Sequence, residues 1–162
     1  MPITAVEIRE AGATPNWPPS VFHITKEQPG SNPILFVSPV RQDQAELRRI
    51  MCRTHRTIAA ATCRRALRPI QEGGVQIVLC DRNLPDGTWL DILGQVAASG
   101  DPPLLIVTSR VADERLWAEV LNLGGFDLIA KPFAATEVLH VLSAASVYKR
   151  SPRRSAHFAG GA

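Results

Sequence analysis

The stretch that most constrains this chain is residues 75–87, VQIVLCDRNLPDG. Val75, Ile77, Val78, Leu79 and Cys80 make a short, β-prone apolar run, and Asp81 follows at once. Asn83, Pro85, Asp86 and Gly87 then supply turn chemistry. A brief apolar run bounded by turn signals fits a strand covered on both faces. Such a strand needs helices above and below it. It also puts the Asp81 carboxylate at its C-terminal end, where open α/β sheets carry their chemistry.

The rest of the chain supplies the neighbours of that strand. Strand β1 is expected over 34–37, β2 over 57–60, β3 over 75–80, β4 over 104–107 and β5 over 128–130. Helices are expected as α1 (42–53), α2 (62–72), α3 (88–98), α4 (111–123) and α5 (135–148). Ala45, Leu47, Ile50 and Met51 give α1 an apolar stripe, Ala66, Leu67 and Ile70 serve α2, and Leu116, Val120 and Leu123 serve α4. Pro69 is expected to end or kink α2. Thr88, with Asp91 three residues later, forms a capping box for α3. Regular alternation of strand and helix predicts a flavodoxin-like (βα)5 doubly wound parallel sheet with strand order 2-1-3-4-5.

A chain of 162 residues, 45% of them hydrophobic, suits one domain with tails. Residues 33–148 read as that domain. Residues 1–32, with Pro2, Pro15, Pro18, Pro19 and Pro29, read as an irregular N-terminal extension in which 21–24 could add a short strand. Residues 149–162, KRSPRRSAHFAGGA, read as a basic disordered tail. The domain itself holds 12 basic and 12 acidic residues, so the net charge of +3 belongs to the tail and not to a nucleic-acid-binding fold.

No apolar run approaches the ~18 residues of a membrane span, and no basic-then-apolar leader opens the chain. A cytoplasmic protein without membrane contact is expected. Cys52, Cys63 and Cys80 form no CxxC pair and are expected to be small buried hydrophobes in a reducing compartment. The histidines show no metal spacing. No GxGxxG, GxxxxGK[ST] or GxSxG pattern occurs, and an independent enzyme is not expected.

The predicted sheet brings four strand ends to one edge. They deliver Ser38-Pro39, Asp81, Thr108-Ser109 and Lys131-Pro132. An acid, a hydroxyl and an ammonium meeting there can accept and hold a phosphoryl group: the acid as nucleophile, the hydroxyl as donor to an oxygen, the ammonium as counter-charge. The bland alternatives are a relic paired acid at Asp81 and turn-capping hydroxyls at Thr108 and Ser109. Asp86, Asp113 and Glu114 are expected to be solvated loop and helix-start charges.

The pieces LCDRNLPDG, LIVTS and Lys131-Pro132-Phe133 resemble response-regulator receiver domains over about 32–148. The resemblance implies Asp81 as phosphoacceptor, Thr108 as the switch hydroxyl, Lys131 as the family's lysine, and the Asn83 backbone carbonyl as a metal ligand beside Asp81. It also implies a histidine kinase or other signalling protein as partner, and a homodimer or effector contact through α4–β5–α5, where Trp117 and Tyr148 are candidates. Receivers hold Mg²⁺ with a pair of acids at the end of β1, and here Ser38 and Pro39 stand there. Leu128 replaces the switch aromatic, and Trp89 stands where a small glycine is usual. Asp43, in the first turn of α1, is expected to lie too far off to join. Asp81 and Lys131 are then the only charges of the site, expected to pair directly, and Mg²⁺ binding is the family property that these departures weaken.

Residues 41–68 hold eight arginines against Asp43 and Glu46. They read as solvated helix faces or as a docking surface for an acidic partner or nucleic acid; without aromatic interleaving, nucleic acid is the less favoured. The first functional reading is a stand-alone receiver-like module in a phosphorelay, with a degenerate metal site, acting by protein–protein contact. The second is a working single-domain receiver phosphorylated on Asp81 by a histidine kinase. The third is a nucleic-acid-binding adaptor using 41–68 and the tail.

Overall fold

The computed structural model describes residues 32–151. The possible strand at 21–24 and the tail beyond 151 lie outside the described residues. Strands β1 (Ile34–Val37), β2 (Thr57–Ala60), β3 (Ile77–Asp81), β4 (Leu104–Ser109) and β5 (Asp127–Ala130) form one parallel sheet in the order β2-β1-β3-β4-β5. Helices α1 (Arg41–Met51), α2 (Cys63–Gln71), α3 (Trp89–Ala97), α4 (Glu114–Leu123) and α5 (Ala135–Arg150) cover it. This is the doubly wound order that the alternation predicts.

Strand periodicity sorts the core into two layers. Leu35, Val37, Val78, Cys80, Leu105 and Val107 point to one face and pack against α2, α3 and α4. Ile34, Phe36, Ile77, Leu79, Ile106 and Ile129 point to the other and pack against α1 and α5. Central β3 is buried at every position, as its unbroken apolar run requires. The Trp89 side chain is fully buried in the first layer.

Several boundaries differ from expectation, each for a local reason. β3 begins at Ile77 and takes in Asp81, so the carboxylate is part of the strand. β4 likewise runs on through Ser109. The turn residues after Asp81 form a two-residue antiparallel ribbon, Asn83–Leu84 against Gly87–Thr88. It aims Asp86 at the start of α2, where its carboxylate accepts the Cys63 and Arg64 amides at 2.8 and 3.0 Å. Asp86 is thus an exposed charge, as expected, that also caps the start of α2 from outside the helix. Asp113 caps α4, accepting the Leu116 amide at 2.8 Å, which is why that helix starts at Glu114. Pro69 lies inside α2, which ends two residues later. The capping box of Thr88 and Asp91 forms as predicted.

Ala45 and Leu123 are exposed rather than buried, and Asp43 joins Leu47 and Met51 on the buried stripe of α1. Cys63 and Cys80 are buried, but Cys52 is exposed. α5 continues to Arg150, and the Lys149 ammonium reaches Asp101 at 3.0 Å and the Pro102 carbonyl at 2.7 Å, so both residues continue the helix instead of starting the tail. Among the described residues no helix is long and apolar enough to cross a membrane.

Candidate functional site

Parallel register delivers the site. Asp81, the last residue of β3, pairs across the sheet with Thr108 of β4. Ser38 follows β1 directly and Lys131 follows β5 directly, so four strand ends meet at one edge, as the sequence predicts. Asp81 and Thr108 are 5% and 1% exposed, and Ser38 is fully buried.

Every oxygen of Asp81 is engaged. Oδ2 accepts the Ser38 hydroxyl at 2.6 Å. Oδ1 accepts the Thr108 hydroxyl at 2.6 Å and the Lys131 ammonium at 2.6 Å. Thr108 thus turns to the carboxylate, while Ser109 serves the turn: its hydroxyl accepts the Val111 amide at 3.1 Å. The direct pair of Asp81 with Lys131 forms as expected from the sequence.

The charge count from the sequence needs one correction. Asp43 does reach the site: it is 5% exposed, and its Oδ2 accepts the Lys131 ammonium at 2.6 Å. The Pro39-Val40 step after β1 is short, so α1 starts at Arg41 and its first turn hangs over the strand ends. Lys131 is consequently shared by two carboxylates, and Arg110, largely exposed, approaches Asp43 Oδ1 at 3.6 Å. A signal was available: Asp43 stands four residues before Leu47 and eight before Met51, on a face otherwise apolar. An acid on such a face needs a buried counter-charge.

The remaining departures fall as the sequence places them. Ser38 and Pro39 bring a hydroxyl and an imino ring to the end of β1 in place of carboxylates. Asn83 is exposed on the two-residue ribbon, its register partner Thr88. Leu128 is buried within the sheet. Among the described residues no group of three His, Cys, Asp or Glu side chains is placed to hold a metal. The thiol beside the site is inert: burial, and then the Asp81 charge, push Cys80 far above the ordinary thiol range. On the side of the sheet formed by α4, β5 and α5, Trp117 and Tyr148 are about half exposed, with the Trp117 indole donating to Asp127 at 3.2 Å.

Comparison with known proteins agrees with this arrangement. The family model described as response regulator receiver domain matches residues 40–143. The transcriptional regulatory protein KdpE of Mycobacterium tuberculosis (strain ATCC 25618 / H37Rv) is 32% identical over 93 residues, 57% of this chain and 41% of that protein. The chain thus spans less than half the length of that relative. Among solved structures, the signal receiver domain of an HD domain-containing protein from Pseudomonas fluorescens Pf-5 superposes with a TM-score of 0.68 at 21% identity, covering 77% of this chain and 94% of that one. The receiver domain of sensor histidine kinase PA1611 from Pseudomonas aeruginosa PAO1, with a magnesium ion coordinated in its active site cleft, superposes with a TM-score of 0.63 at 20% identity, covering 71% and 97%. A parallel five-stranded sheet, an acid ending β3 with a hydroxyl and a lysine beside it, and a family match over most of the domain lead to one conclusion: the chain belongs to the response-regulator receiver domain family of two-component signalling.

Proposed function

We propose that this receiver acts as a signalling module by protein–protein contact, with a degenerate metal site and with a histidine kinase or another signalling protein as its partner. The observation that carries this reading is Lys131 held at 2.6 Å from both Asp43 and Asp81. Mg²⁺ requires near-octahedral oxygen ligation, usually including one or two carboxylates with free lone pairs. Here the ammonium lies between the two acids, Ser38 and Thr108 donate to what remains of Asp81, and Arg110 faces Asp43. Two carboxylates against two cations leave no negative excess to attract a divalent ion. The donor set does not fit Mg²⁺, and no step of the proposed action runs through a metal.

The chain's own residues define what the site can still do. Ser38 and Thr108 hold the Asp81 carboxylate in one orientation, and Lys131 neutralises it. The partner contact is assigned to the α4–β5–α5 side, where Trp117, Leu121, Val147 and Tyr148 stand exposed. A second reading, in which Asp81 accepts a phosphoryl group from a kinase, is favoured by the convergence of Asp81, Thr108 and Lys131.

One experiment separates the two. The full chain and its Asp81→Asn variant are incubated with acetyl phosphate, with and without Mg²⁺, and the intact mass is followed. The first reading expects slow labelling of the wild type at a rate that Mg²⁺ does not change. Fast, Mg²⁺-dependent labelling lost in Asp81→Asn overturns it in favour of the second.

A further inference from the structure

The strongest unexplained feature lies away from this site, at the β2 edge of the sheet. β2 ends the strand order, so among the described residues one of its sides has no strand neighbour. The Ile34 amide donates to the Arg56 carbonyl and the Ser38 amide to the Ala60 carbonyl, both at 2.9 Å. In a parallel pair, alternate residues bond to the same side, so 56, 58 and 60 face β1 while Thr57 and Ala59 turn their main-chain groups outward. Sheet proteins usually protect such an edge with a covering element or by a charge or proline on the strand itself. β2 reads TIAA, without charge or proline, and Ile58 and Ala59 are exposed.

The charge lies around the strand instead. α1, before β2 in the chain, packs on one face of the sheet and α2, after it, on the other, and both helices carry exposed arginines. Arg48, Arg49, Arg53 and Arg56 stand before β2, and Arg64 and Arg65 follow it in the first turn of α2; all are exposed. Of the nearby acids, Asp43 is held by Lys131, Glu72 by Arg68 at 2.7 Å and Asp86 by the α2 amides, which leaves Glu46 against the six arginines. Among the described residues, none of these six arginines makes an ion pair.

We propose that the β2 edge is a docking site for an acidic, extended polypeptide that joins the sheet as a further strand. Thr57 and Ala59 supply main-chain hydrogen bonds, Ile58 and Ala59 the apolar contact, and the arginines at both ends meet acidic side chains. A polypeptide is favoured over a nucleic acid because the centre of the surface is apolar backbone edge and no aromatic side chain in 41–68 offers a stacking platform.

The test uses the full chain, ¹⁵N-labelled, titrated with a synthetic peptide of alternating Glu and Val, its Lys/Val counterpart, and oligothymidylate. The expected result is binding of the Glu/Val peptide alone, with shifts centred on Thr57–Ala60, slowed exchange of the Thr57 and Ala59 amides, and weakening as salt rises. Arg53→Glu/Arg64→Glu/Arg65→Glu should weaken binding about tenfold or more. Ala59→Pro should abolish it by removing an outward donor; should that variant misfold, the arginine variant keeps the test. Three outcomes overturn the proposal: tighter binding of oligothymidylate, equal binding of the Lys/Val peptide, or Thr57 and Ala59 amides already protected in the free chain, which would mean the edge is covered by the chain itself or by a second copy.

Discussion

Lys131 is the residue on which the site's charges converge, and its loss exposes two buried acids at once. Removing one partner of a buried ion pair typically costs about 3–5 kcal/mol. Lys131→Ala should lose at least that order in chemical denaturation, and Asp43→Asn less, because Asp81 keeps its lysine and both hydroxyls. A Lys131→Ala variant as stable as wild type would show that the pairing contributes nothing. Asp81, Thr108 and Lys131 were legible in the sequence because strand ends in a parallel sheet have fixed places. Asp43 was not, because its reach depends on how sharply the chain turns after β1. That turn is a tertiary property, and only the acid's position on an apolar helix face hinted at it.

At the scale of elements, local signals were the readable ones. The capping box of α3 lies within four residues, and Thr88→Ala should cost about 1 kcal/mol in thermal or denaturant unfolding. The cap of α2 by Asp86 was invisible because donor and acceptor are more than twenty residues apart, brought together by the ribbon. The Arg64 and Cys63 amides hold the Asp86 carboxyl below its usual range. Its contribution is therefore present above the unfolded-state value of about 3.9 and is lost as pH falls through the lower folded-state value. Cys63 acts at the other end: burial, and then Asp86, push its thiol up to about 11. That contribution is intact below the unfolded thiol value of about 8.5 and declines as pH rises toward the folded one. Unfolding curves of wild type and Asp86→Asn should differ at neutral pH and converge in acid; a constant difference across the range would remove Asp86 from the cap.

For the whole molecule, the strand order was readable because a buried parallel strand leaves so plain a trace, whereas the uncharged β2 edge, without a strand neighbour among the described residues, was not. Amides of β3, buried throughout between β1 and β4, should exchange only on global unfolding. Those of β2 that face away from β1 should exchange by small local openings. Equal protection across the sheet, measured by native-state hydrogen exchange, would contradict this gradient.

The placement of Asp43 on α1 has a mechanical consequence. In a site whose acids all hang from strand tips, a change of charge at the strand is felt by loops. Here one ammonium is tied both to the central strand and to the opening turn of a helix. Were the charge withdrawn from Asp81, Asp43 would be the carboxylate left to that ammonium, and the tether would join the sheet's tip to the arginine-bearing flank of the molecule.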